Sequence, residues 1–162
     1  MIKHLRIDNR LIHGQVAISW QKYVDANSII VCNDKVALDP IQKMALPLAA
    51  NGSDVKVFSI AETLKYNEEH PKETLFVIAK FPSDALAILE SGAEVQSVNV
   101  GNAAPIRGTD YVLVDGKSIA VTKEDAEIYR KIAALKGDKL TTQTMPTYPI
   151  QDFLGLLSKA GF

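Results

Sequence analysis

Short apolar runs alternate with helix-length amphipathic stretches along the whole chain. Ile2 to Ile7 predicts a first strand, with Ile2, Leu5 and Ile7 apolar, stopping at the polar Asp8-Asn9-Arg10. Gln15 to Tyr23 fits a helix that buries Val16, Ile18, Trp20 and Tyr23. Ser28-Ile29-Ile30-Val31-Cys32 is a short β-branched run, unbroken in the manner of a strand covered on both faces. Asp39-Pro40 reads as an N-cap with proline in the first turn, opening a helix through Ile41, Met44, Ala45 and Leu48. Val55 to Ser59 predicts a strand, and Ser59-Ile60-Ala61-Glu62 is a capping box for the helix after it. Thr74 to Ala79 is a strand, Ser83 to Glu90 a helix closed by Ser91-Gly92, and Val95 to Val100 a fifth strand ending at Gly101-Asn102.

The last third is less regular. Tyr111 to Val114 and Ile119 to Val121 predict a hairpin around Asp115-Gly116. A helix opens at Thr122, a strand is expected near Leu140 to Met145, and a terminal helix near Ile150 to Lys159. Five consecutive strand–helix units imply an α/β fold. The expected architecture is an open, mostly parallel sheet with helices on both faces and one antiparallel edge strand or hairpin in the C-terminal third.

Length and composition narrow the class. At 162 residues the chain fits one domain, 1–162, with no linker or repeat. The hydrophobic fraction of 47% and the charged fraction of 23% are globular, and no run approaches a membrane span. Eighteen Lys and Arg against 19 Asp and Glu, with no basic stripe, argue against nucleic acid as a partner. One cysteine excludes an internal disulfide, and the N-terminus lacks a secretory pattern, so the expected location is cytoplasmic.

Ligands of an open parallel sheet bind beyond the carboxyl ends of its strands. Of the loops there, Asp8-Asn9-Arg10-Leu11-Ile12-His13-Gly14-Gln15 stands apart, because it gathers a carboxylate, a guanidinium and an imidazole just before a helix. A helix start offers free N–H groups and positive dipole to an anion, here at Gly14 and Gln15, and Gly14 keeps a Cβ out of the way. Arg10 supplies a fork for two phosphate oxygens. Neutral His13 has a lone pair with which to attack phosphorus. Asp8 would fix the His13 tautomer or brace Arg10. Taken singly, these residues have plainer readings: a histidine bonded to backbone at a helix start, and a surface Asp–Arg pair. Their joint placement at the end of the first strand favours an anion-handling site.

Other chemistry finds no support. There is no Walker loop, no dinucleotide fingerprint, no G-x-S-x-G elbow and no zinc spacing, so neither a cofactor nor a metal is expected. Cys32 reads as a small buried hydrophobe, His4 as structural or solvent-facing, and His70 as solvated.

Ile7-Asp8-Asn9-Arg10-Leu11-Ile12-His13-Gly14-Gln15-Val16 closely resembles the phosphorylation-site motif of the enzyme IIB components of the mannose/fructose/sorbose family of the bacterial sugar phosphotransferase system. Val31 to Ala37 with Asp39 to Met44, and Val98-Asn99-Val100-Gly101, resemble two further blocks of that family. The resemblance implies an open α/β phosphoryl carrier. His13 would accept phosphate at Nδ1 from a IIA domain and pass it to a sugar held by a membrane IIC/IID pair, with which the protein associates peripherally. Asp8 and Arg10 match the motif's aspartate and arginine, and Asn33, Asp34, Gly101 and Asn102 would lie at the site rim. The family commonly has a second glycine where Asn102 stands, and an acidic residue where Asn33 stands. A non-catalytic anion- or sugar-phosphate-binding regulator is the alternative on the same scaffold. The segment from Thr144 to Pro149 and the helix after it serve either docking or self-association into a homo-oligomer, or simply connect a packed helix.

Overall fold

A computed structural model describes residues 1–137 and 139–162. The chain runs β1 (Ile2–Asp8), α1 (Gln15–Val24), β2 (Ser28–Cys32), α2 (Asp34–Leu38), α3 (Pro40–Ala49), β3 (Val55–Phe58), α4 (Ile60–Glu69) and β4 (Leu75–Ala79). It continues through α5 (Pro82–Glu90), β5 (Val95–Asn102), β6 (Val112–Leu113), β7 (Ala120–Val121), α6 (Lys123–Leu135), β8 (Thr141–Thr142), β9 (Gln151–Asp152) and α7 (Phe153–Lys159).

Seven strands form one sheet in the order β3-β2-β4-β1-β5-β8-β9, and β6-β7 is a separate antiparallel hairpin. All pairings in the large sheet are parallel except the terminal β8–β9. This is the expected fold class, with its antiparallel pieces in the last third.

Alternation along the strands sorts the core into two layers. Leu5, Ile7, Ile30, Cys32, Val77 and Ala79 point to the layer under α5, α6 and α7. Ile29, Val31, Phe76 and Ile78 point to the layer under α1 and α2. β1 is the middle strand, flanked by β4 and β5. The connection after β1 leaves for one layer, through α1, while the connection after β4 leaves for the other, through α5. The carboxyl end of β1 is therefore the switch point at which open α/β sheets bind ligands.

Several local expectations change. In α1, Ala17 and Trp20 are buried, whereas Val16 and Ile18 are only partly covered and Tyr23 is 64% exposed. The stripe Ile41, Met44, Ala45 and Leu48 of α3 faces solvent. The cause is α2, whose five residues are too few to show a period in the sequence. Its Val36 and Ala37 fill the space over the sheet, so α3 reaches the core through Leu46 and the following Ala50. Near the C-terminus the expected strand shrinks to Thr141–Thr142, and β9 takes Gln151–Asp152 from the start of the expected last helix. That helix is packed through Phe153 and Leu157, both fully buried. No helix among the described residues is long and apolar enough to cross a membrane.

Candidate functional site

The loop after β1 turns at once, with Leu11 N–H donating to the Asp8 carbonyl at 3.1 Å. Leu11 takes φ 63°, a left-handed conformation that costs a residue with a Cβ about 1–2 kcal/mol. Its side chain is buried with Ile12, Ala17 and Trp20, and full burial of a leucine returns about 1.5–3 kcal/mol. Leu11 and Ile12 thus anchor the loop from below, and the next residues emerge: His13, Gly14 and Gln15 are all exposed. Gly14 has φ 50° and ψ −135°, and nothing lies within 4 Å of where its Cβ would stand. Backbone conformation, rather than crowding, calls for glycine there.

The helix that begins behind His13 is left open. Asn33, Asp39, Ser59, Thr122 and Asp152 each cap a helix with a side-chain oxygen. α1 has Gly14 at its N-cap, no capping side chain and no acid in its first turn. Val16 N–H donates to the His13 carbonyl at 3.1 Å, and no side chain caps the other N–H groups at the positive end of the dipole, directly after His13 in the chain.

Arg10 is held by Asp8. Asp8 Oδ1 accepts from the Arg10 backbone N–H and from Nε, both at 3.1 Å, and Oδ2 accepts from Nη2 at 3.1 Å. Asp8 is buried, while the Arg10 side chain remains 26% exposed. The Nε–Nη2 edge of the fork is therefore occupied, and the Nη1–Nη2 edge is the one that can meet an anion. Of the two tasks the sequence offered Asp8, the geometry has it bracing Arg10. No hydrogen bond joins it to the His13 ring among the described residues.

Beneath this pair lies a residue that the sequence reading passed over. Arg6 is 1% exposed. Its Nε donates to Asp8 Oδ2 at 3.3 Å, and Nη2 lies 3.2 Å from the same oxygen. Nη1 donates to Asn99 Oδ1 at 2.8 Å and to the Gln143 carbonyl at 2.9 Å, and Nη2 to the Thr144 carbonyl at 3.2 Å. The guanidinium carbon sits 5.3 Å from the centroid of the Trp20 ring, whose Nε1 also donates to Thr144. Burial pulls the Arg6 pKa down to about 10, against the opposing pull of Asp8, so the group stays charged at neutral pH. Its burial, though not its role or its partners, was signalled in the sequence. His4, Arg6 and Asp8 alternate with Leu5 and Ile7, and a strand covered on both faces must bury its polar row as well.

Gly101 belongs to this arrangement. β5 carries one extra residue between the pairs Ile7–Val100 and Asp8–Asn102. A Cβ on Gly101 would stand 2.1 Å from Arg6 Cζ. The glycine makes room for the guanidinium and is buried. Asn102 lies opposite Asp8 in the register, also buried, and its carbonyl accepts from the Asn9 N–H. Asn33 and Asp34 stand elsewhere. β4 separates β2 from β1, which is about 10 Å at normal strand spacing. Buried Asn33 caps α2 and donates to Asp84 at 2.9 Å, and Asp34 accepts from the first N–H of α4.

The cysteine and the other two histidines are engaged elsewhere. Cys32 is fully buried, and burial pushes its thiol up to about 12. His4 is buried against Trp20, ring centroids 4.6 Å apart, and its pKa falls to about 3 through burial first and then the charge of Arg6. His70 is half-buried rather than solvated: its ring stacks on Tyr66 and Nδ1 lies 2.9 Å from the Tyr66 carbonyl.

Residues 2–162 match the family described as PTS system sorbose subfamily IIB component. The sorbose-specific EIIB component of Klebsiella pneumoniae is 31% identical over 160 residues, covering 97% of this chain and 95% of that protein. The mannose-specific EIIAB component of Escherichia coli K12 is 33% identical over 157 residues, but the chain spans only 47% of its length. The crystal structure of the IIBSor domain of the Klebsiella pneumoniae sorbose permease superposes with a TM-score of 0.90 at 30% identity, over 100% of this chain and 99% of that one. The chain is a member of the sorbose subfamily of IIB components of the sugar phosphotransferase system.

Proposed function

We propose that the chain carries a phosphoryl group on His13, taking it from a IIA domain and delivering it to a sugar presented by membrane IIC/IID components. In the first step a lone pair on the neutral His13 ring, at Nδ1, attacks phosphorus. A P–N bond forms as the bond to the donor breaks, and its electron pair leaves with the donor. In the second step a sugar hydroxyl oxygen attacks the same phosphorus. The P–N bond breaks, its pair returns to the His13 nitrogen, and the hydroxyl proton is released. Both transition states spread negative charge over the equatorial oxygens, so positioning and electrostatics dominate. The free edge of Arg10 and the open start of α1 supply that field.

One observation carries this reading: the exposed His13, without a side-chain hydrogen bond among the described residues, immediately precedes a helix start that no side chain caps, in the same short loop as a guanidinium braced by Asp8. Exposure is what a carrier with two successive partners requires, since each must bring its own reacting atom to one ring nitrogen. The loop's deep anchoring keeps that exposed ring in place.

Incubation with a phosphorylated IIA domain is the test. The chain should gain one acid-labile, base-stable phosphate, and His13→Ala should gain none while melting like the parent. Reversible phosphate binding with no covalent adduct would instead make the protein an anion-binding regulator.

A further inference from the structure

We propose that Arg6 is a positioning residue for phosphoryl transfer: it neutralises Asp8 from below, so the positive charge of Arg10 stays available to the incoming phosphoryl group. This rests on the reading of His13 as the acceptor.

Charge counting at one carboxylate leads to it. Arg6 and Arg10 both donate to Asp8, from the buried and the exposed side respectively. The three groups sum to +1. Without Arg6 the site would hold a closed Asp8–Arg10 pair of net zero charge, a poor attractor for an anion. The positive charge that Arg10 shows to solvent therefore depends on a second guanidinium that solvent never reaches. No hydrogen bond runs from Arg6 to His13 among the described residues, so Arg6 acts through Asp8.

Fold stability alone is a weak reason for such a group. Burying a guanidinium is costly, and apolar side chains of similar volume often serve a core as well or better. Here the fold goes further to accommodate it, with a bulge and a glycine at 101 and with two backbone carbonyls, of Gln143 and Thr144, turned inward. Those carbonyls also tie the segment after β8 to the floor of the site. A purely structural role would consist of that tie alone, and the test separates it from the charge role.

The probe is phosphoramidate, a small phosphoryl donor that needs no partner protein. His13 nitrogen attacks its phosphorus, the donor P–N bond breaks, and ammonia leaves with a proton. Phosphohistidine formation is followed by phosphorus NMR on the full chain, and inorganic phosphate affinity by ring-proton shifts of His13. Arg6→Met should raise the half-saturating phosphoramidate concentration and weaken phosphate binding about tenfold. Arg6→Lys, which keeps the charge and loses the fan of bonds, should restore affinity to within about threefold but not the maximal rate. Arg6→Met combined with Asp8→Asn again leaves Arg10 unopposed and should regain most of the lost affinity.

Wild-type affinity in a folded Arg6→Met variant would overturn the proposal. So would a double variant as weak as the single one, which would reduce Arg6 to a packing residue. Should Arg6→Met fail to fold, Asp8→Asn decides: phosphate should bind several-fold tighter, and unchanged or weaker binding overturns the idea. If the wild-type chain binds phosphate but forms no phosphohistidine, the carrier reading fails while the affinity series still judges Arg6.

Discussion

The two faces of β1 are built from opposite materials. One face presents Leu5 and Ile7 to an apolar layer closed by α5, α6 and α7. The other presents His4, Arg6 and Asp8, all buried, under α1. The apolar face is held by removal from water and tolerates any tight packing. The polar face is held by directional bonds, each of which must be made, because an unmade one in the interior costs more than it would at the surface. A single central strand thus divides its labour, with one side fixing the sheet and the other fixing the loop that displays His13.

Substitution on each face should separate stability from chemistry. Leu5→Ala removes a fully buried side chain from the apolar layer and should cost about 2–5 kcal/mol in urea unfolding. The folded fraction should still accept phosphate at the parent rate. A rate loss beyond the unfolded fraction would show that the faces are coupled.

Gly101→Ala comes next and should strike both properties. Its Cβ would lie 2.1 Å from Arg6 Cζ and 2.4 Å from Nε, and Arg6 is pinned by bonds to Asp8, Asn99 and two carbonyls. Overpacking of this kind costs about 1–3 kcal/mol. Displacement of Arg6 should also slow phosphohistidine formation, measured as its appearance against time. A variant that is destabilised yet transfers normally would detach Arg6 from the site.

The polar face should also make stability depend on pH through His4. Its folded value of about 3 lies below the ordinary 6.5, so the folded state resists a proton that the unfolded chain takes up readily. That contribution is complete above about pH 6.5 and is lost as pH falls towards 3. Between pH 7 and pH 5 the loss should be about 2 kcal/mol, from about 1.36 kcal/mol per pKa unit. His4→Phe keeps a ring against Trp20 and cannot titrate, so its unfolding midpoint should be flatter over that range. Parallel pH profiles for the two proteins would remove His4 as the cause.

How far the sequence could be read follows from the same division. Strand and helix order came from periodicity and caps, and the capping box at Ser59 is present as read, with Glu62 donor and acceptor groups in place. His13, Gly14 and Arg10 were visible because reactive residue types cluster in one short loop at a strand end. Arg6 was not, because its role needs the neighbours β5 and the 143–144 segment, far away along the chain. The outward stripe of α3 was misread for a related reason. An apolar helical face says that something should cover it, but the small α2 had already taken the place on the sheet. Asn33 and Asp34, at the start of α2, lie at the correct end of the sheet, yet strand order, which the sequence does not state, puts β4 between them and His13.

Arg10→Lys should have the smallest effect on stability and still divide chemistry from folding. The side chain is partly solvated, and an ammonium can keep one of its contacts with Asp8, so the stability change should be about 1 kcal/mol or less. The planar fork is lost, however. A lysine that reaches Asp8 has no second edge fixed in the direction of the anion, whereas Arg10 is locked to Asp8 through Nε and Nη2 with Nη1 left over. Loss of one charge-assisted bond, about 1.5–3 kcal/mol, corresponds to roughly a tenfold or greater fall in rate. The expected outcome is a protein that melts like its parent and forms phosphohistidine at least about tenfold more slowly, read by phosphorus NMR. Should the rate stay at the parent value, charge alone would suffice at position 10, and the bracing by Asp8 would serve the loop's shape rather than its chemistry.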